Sequence, residues 1–131
     1  LKPYGDRWVA YGVAVSGNTA NDVKLFAGKH NCGEHSLYQD IEQTEDYILV
    51  QTLDAKTIQY HDIVKMDCEG EEKTILENLK FLPICYLIEY HSPENRRFIE
   101  VFLSKDYTLI GHALSTRRTG VLKFLRNDVL P

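Results

Sequence analysis

Ile63-Val64-Lys65-Met66-Asp67-Cys68-Glu69-Gly70-Glu71-Glu72 is the stretch that decides the fold. An apolar extended run closes on a carboxylate, and a helical pattern follows. Ile75, Leu76 and Leu79 recur on one face between Glu71 and Phe81, while Glu71 and Glu72 lie where a helix amino terminus favours anions. Pro83 cannot continue a helix, so the segment exits there. The nearly continuous apolar run Ile84-Cys85-Tyr86-Leu87-Ile88-Glu89-Tyr90 then reads as a strand buried on both faces. Strand, helical crossover and strand make a βαβ unit, with parallel strands and a right-handed connection.

Working outward toward the carboxyl end, Ser92-Pro93 is a helix start: the serine can accept a free amide, and proline at the first helical position wastes no donor. The spacing predicts a helix over 93–104, with Phe98, Ile99, Phe102 and Leu103 against the sheet and Arg96 and Arg97 in water. Tyr107–Ala113 and Gly120–Arg126 frame Ser115–Thr119 as a β-hairpin. In the other direction, Trp8–Val15 reads as a strand, Ser16–Asn21 as a turn, and Val23–Phe26 as a short strand returning beside the first. Residues 28–45 read mostly as loop, Tyr47–Leu53 as a strand, and Asp54 as the cap of a short helical turn running through Ile58. The expected class is α/β, one domain with a parallel centre and an antiparallel carboxyl-terminal hairpin.

Composition agrees with one folded unit. The chain has 131 residues, of which 44 % are hydrophobic and 26 % charged, a balance unlike that of disordered chains. Fifteen Lys and Arg against nineteen Asp and Glu leave a net charge of −4, and the basic residues are scattered, which argues against a general nucleic-acid partner. No apolar run approaches the roughly 20 residues of a membrane span. Leu1–Asp6 lacks the basic-then-apolar order of a secretory signal. Cys68 and Cys85 sit in apolar surroundings and read as buried small hydrophobes; with Cys32, the odd number favours reduced thiols and a cytoplasmic setting.

Ligands of open parallel sheets gather at the carboxyl ends of strands, where this reading puts Asp67, Glu69 and Gly70 on one tip and Glu89 and His91 on its neighbour. Asp67 could orient a substrate hydroxyl, hold a divalent cation through oxygen, or cap the next helix. His91 could take a proton from a hydroxyl or merely bond a loop carbonyl, and Glu89 could pair with a nearby cation. Two other patterns are weaker. His30-x-Cys32-x-x-His35 has ligand-capable atoms but no second half of a zinc site. Glu71-x-Lys73 resembles part of a nuclease set, yet its spacing at a helix start points the two side chains apart. Neither G-x-G-x-x-G nor a nucleotide-triphosphate phosphate loop is present.

The run Asp62–Glu72 followed by Ile75-Leu76, together with Leu87-Ile88-Glu89-Tyr90-His91, resembles FkbM-type S-adenosylmethionine-dependent methyltransferases. Gly12-Val13-Ala14-Val15-Ser16 and Thr52-Leu53-Asp54 are similar to that family's third-strand and pre-fourth-strand segments. The resemblance runs over residues 8–126 and covers the later part of the family's domain, without the glycine-rich cofactor segment. It implies a partial Rossmann-like sheet, cut from a strand order 3-2-1-4-5-7-6. The implied chemistry is methyl transfer to a small hydroxylated substrate, with S-adenosylmethionine as cofactor of the complete domain. Asp67, Glu69 and His91 map to catalytic positions, Gly70 to cofactor binding, and Glu89 and His91 to substrate binding, with no metal. The third and fourth strands would need an amino-terminal segment or self-association, as in a dimer, to cover their edges. Two other readings fit the residues: a noncatalytic interaction module using a free sheet edge, and a metal-dependent phosphodiesterase or nuclease.

Overall fold

A computed structural model describes residues 9–30, 35–39, 43–116 and 118–130. In chain order the elements are β1 (Ala14–Ser16), β2 (Ala20–Gly28), β3 (Gln43–Asp54), β4 (Ile63–Met66), α1 (Glu72–Asn78), β5 (Cys85–Tyr90), α2 (Pro93–Leu103), β6 (Tyr107–Leu114) and β7 (Gly120–Arg126). They form an α/β structure with two small mixed sheets, ordered β1-β3-β2 and β4-β5-β7-β6. None of the described helices is long and apolar enough to cross a membrane.

The second sheet holds the core. β4 and β5 are parallel, pairing Val64 with Tyr86 and Met66 with Ile88, with α1 between them, so the parallel strand–helix–strand order expected of the deciding stretch is present. β5 then pairs antiparallel with β7, and β7 with β6 in the expected hairpin. Tyr86, Ile88 and Tyr90 are buried together with Met66, Leu122 and Phe124 on the paired strands, and Ile75, Leu76, Ile99 and Leu103 bring both helices into the same cluster. The alternate residues Cys85, Leu87 and Glu89 are only half-buried. β5 is therefore covered fully on one face, not on both as its composition suggests. Both helices lie on a single side, and the described residues supply no second layer.

Helix boundaries follow local chemistry. α1 stops earlier than the apolar pattern does: the Leu79 amide bonds the Ile75 carbonyl at 2.9 Å, and Leu79 itself turns extended. In α2 the Ser92 hydroxyl accepts the Asn95 amide at 3.0 Å with Pro93 in the first turn, as expected. Its apolar face, however, divides. Ile99 and Leu103 are buried, whereas Phe98 and Phe102 are not; they stand about 100° earlier around the helix and stack on each other at 5.4 Å. Asp54 caps the 3-10 turn Ala55–Thr57 by accepting the Lys56 amide at 3.0 Å.

The amino-terminal hairpin is corrected. β2 does not return beside β1; it pairs antiparallel with β3, which lies between them and is parallel to β1. Hydroxyl groups explain the crossing. Thr52 Oγ1 accepts the Ala20 amide at 3.0 Å and donates to the Asn18 carbonyl at 2.9 Å, while Thr19 Oγ1 accepts the Asp54 amide at 3.2 Å. The link between β1 and β2 is thus tied over the end of β3. The β2 strand also extends beyond the expected segment, with a register shift between Ala20 and Val23 where Asp22 takes φ 55°.

Near the hairpin end of the second sheet, Tyr90 donates or accepts across 2.9 Å to His112 Nε2. Gly120 passes directly over that ring: a Cβ there would lie 2.9 Å from the Tyr90 hydroxyl and 2.5 Å from the Ala113 carbonyl.

Candidate functional site

The β4-to-α1 turn builds the site. Glu69 has φ 47° and Gly70 φ 112°, both left-handed, so the chain reverses within two residues after Asp67. This conformation is natural for glycine and costs an L-residue such as Glu69 about 1 kcal/mol. Two contacts fix it from outside: Ser36 Oγ donates to the Glu69 carbonyl at 2.7 Å, and the Tyr38 ring stands 3.4 Å from where a Gly70 Cβ would be. Beneath it lies Glu72, 0 % exposed, whose two oxygens accept the Cys68 and Gly70 amides at 3.1 Å each. Two main-chain donors and a helix amino terminus suit a charged carboxylate there.

His91, just past β5, meets the turn. Its Nε2 lies 3.2 Å from Glu69 Oε1 and 3.6 Å from Asp67 Oδ1, and its Nδ1 lies 3.4 Å from Glu72 Oε1. Asp67, Glu69 and His91 each direct one ligand-capable atom to a common region, all within 4.8 Å of one another. The His91 side chain is 22 % exposed and Asp67 40 %, so the group opens to solvent on the Asp67 side, where Lys65 Nζ stands 3.6 Å away.

The charges tune one another. Burial works to lower the His91 pKa, but Glu72, Glu69 and Asp67 together outweigh it and the net shift is upward. Burial raises the Glu69 carboxyl; His91 opposes this, while Asp67, Glu72 and Glu89 reinforce it. Glu72 ends below its ordinary value: burial pushes up, and His91 with the backbone donors pulls down further. Burial lifts the Cys68 thiol to about 11, so it remains protonated at neutral pH.

Most residues singled out in the sequence converge. Asp67, Glu69 and His91 are in mutual reach, and Gly70 is part of the same turn, although its amide is engaged by Glu72. Glu89 shares the half-buried face of β5 with Leu87 and acts on Glu69 electrostatically. Cys68 and Cys85 are free thiols and half-buried, less enclosed than expected. Glu71 and Lys73 separate as their spacing demands: Glu71 is buried and accepts from Ser16 Oγ at 3.1 Å, while Lys73 faces solvent near Glu77. Cys32 of the His30–His35 pattern lies outside the described residues.

Sequence reading missed the roles of Ser36, Tyr38 and, above all, Glu72. The spacing of Glu72 from Cys68 at i and i+4 was the available signal, but a glutamate at a helix start is ordinarily solvated. Comparison of the chain with protein-family models, with curated proteins and with solved structures found no match.

Proposed function

We propose that this chain supplies the acceptor side of an S-adenosylmethionine-dependent O-methyltransferase of the FkbM type, acting on a small hydroxylated substrate. The observation that carries the reading is the meeting of Asp67, Glu69 and His91 beyond the carboxyl ends of the parallel strands β4 and β5. The order β4-β5-β7-β6 also agrees with the 4-5-7-6 half of the Rossmann-like sheet that the resemblance implies.

The fit to the cofactor is one-sided. The carboxylates suit a hydroxyl donor and a nearby positive charge, but Gly70 has Tyr38 against it and its amide committed to Glu72. No G-x-G-x-x-G occurs in the 131 residues. In this reading the adenosine contacts come from outside these elements, from an amino-terminal segment or a second copy. The cofactor, when bound, supplies an electrophilic methyl group.

The chain's own residues handle the acceptor. The Asp67–Glu69–His91 group orients the substrate oxygen and receives its proton, and Glu72 behind the imidazole favours its positive form. Glu89 lines the approach from β5. Free thiols at Cys68 and Cys85 agree with a reducing, cytoplasmic setting.

The test is transfer of radiolabelled methyl from S-adenosylmethionine to a panel of sugars, phenols and lipid headgroups, using the protein in its complete encoded form. Methylation of a hydroxyl, reduced about 100-fold by His91→Gln with cofactor binding retained, is expected. Absence of both cofactor binding and methyl transfer would overturn the proposal and leave the interaction-module reading.

A further inference from the structure

We infer that Asp67, Glu69 and His91 form a binding site for one divalent transition-metal ion of the manganese, iron or zinc class. Two acids alone would be a solvated surface; the imidazole Nε2 between them changes the chemistry. That nitrogen lies 3.2 Å from Glu69 and 3.6 Å from Asp67. A charge-assisted hydrogen bond would close to about 2.8 Å, and a single N–H cannot serve two carboxylates well. Donor atoms sharing an ion through bonds of about 2.1 Å stand roughly 3.0–3.5 Å apart; the two imidazole distances are close to that, and the three donor atoms, all within 4.8 Å of one another, would draw together on ion binding.

A second observation lies behind the ring. His91 Nδ1 is buried without a hydrogen bond, and 3.4 Å from it stands Oε1 of Glu72, a carboxylate wholly removed from solvent. A carboxylate on the rear nitrogen is the arrangement that fixes a ligating imidazole and raises its basicity. Closing that gap on ion binding would satisfy the orphaned nitrogen. Two oxygens and one nitrogen favour a borderline ion over calcium or magnesium, and three protein donors leave positions open.

Those positions face the exposed side of Asp67, where water or a hydroxylated ligand can enter. An acceptor oxygen bound there would lose its proton more readily, to the second Asp67 oxygen or to water in place of the ligated imidazole; that role, unlike the ion site, rests on the methyl-transfer reading.

Manganese(II) titration of the purified chain, followed by loss of the free aquo-ion's electron paramagnetic resonance signal, tests the site. One saturable ion per chain is expected, weakened at least tenfold by Asp67→Asn and by His91→Gln and unchanged by Glu77→Gln on the exposed side of α1. Circular dichroism of each variant separates lost binding from lost folding, and Asp67→Asn changes a solvent-facing group. No saturable binding, or equal binding in folded Asp67→Asn and His91→Gln, overturns the site. Ion binding without methyl transfer would retain it and remove the methyltransferase reading; methyl transfer without ion binding would do the reverse.

Discussion

Both sheets carry apolar side chains, more of them in the second, and they use them differently. In β4-β5-β7-β6 they interlock with both helices, and Ile88 and Leu122 are 0 % exposed. In β1-β3-β2 the middle of β3 leaves Tyr47, Ile48 and Leu49 largely in water, and burial returns only at its end with Thr52 and Asp54. Length of strand is thus no guarantee of a core: the middle of β3 pairs with β2 alone, β1 joining only at Thr52–Asp54, whereas β5 has strand neighbours on both sides and helices against one face. The candidate site sits where the well-packed sheet ends, which gives its side chains a firm base.

This contrast can be broken most severely at Ile88. Replacing it with alanine should cost about 3 kcal/mol, read as a lower urea midpoint with little change in slope. A cost near that of a surface substitution would mean that the second sheet is not the stabilising unit. An intermediate effect is expected at the junction between the sheets, where the Lys56 amide and ammonium hold the Asp54 carboxyl below its ordinary value. Because the folded pKa is depressed, the stabilisation is present above the unfolded value of about 3.9 and lost as pH falls through the folded one. Asp54→Asn should therefore flatten the decline in unfolding free energy below about pH 4; an unchanged acid limb would remove the carboxylate from that role. The smallest effect belongs to Ile48, which is 60 % exposed. Ile48→Thr should change stability by no more than about 0.5 kcal/mol, and a loss approaching that of Ile88→Ala would erase the difference between the sheets.

The parts legible in the sequence are those governed by nearby residues. β4, α1 and β5 announce themselves through an apolar run, helical spacing and Pro83; Ser92-Pro93 and Asp54 are caps whose partners lie two or three residues away. The meeting of Asp67 with His91 follows from parallel pairing once both strands are recognised. The pairing of β2 was not legible, because Thr19 and Thr52 impose it by hydroxyl bonds across 32 to 35 positions. One-sided burial of β5 was hidden as well, since Cys85 and Leu87 are apolar whether or not anything lies over them. Glu72 was the costliest omission. Its burial depends on amides presented by a left-handed turn, and the conformation of Glu69 that makes the turn leaves no mark in composition.

The close passage of Gly120 over Tyr90 links distant parts of the chain. Tyr90 immediately precedes His91, so the hairpin strand acts as a stop against which the end of β5 is set. A methyl group at position 120 would have to displace the phenol tip or the Ala113 carbonyl, and a shifted phenol would have to carry its ring toward the end of β5. The hairpin thus sets where the Tyr90 ring can lie, at the residue just before the imidazole that meets the acidic cluster.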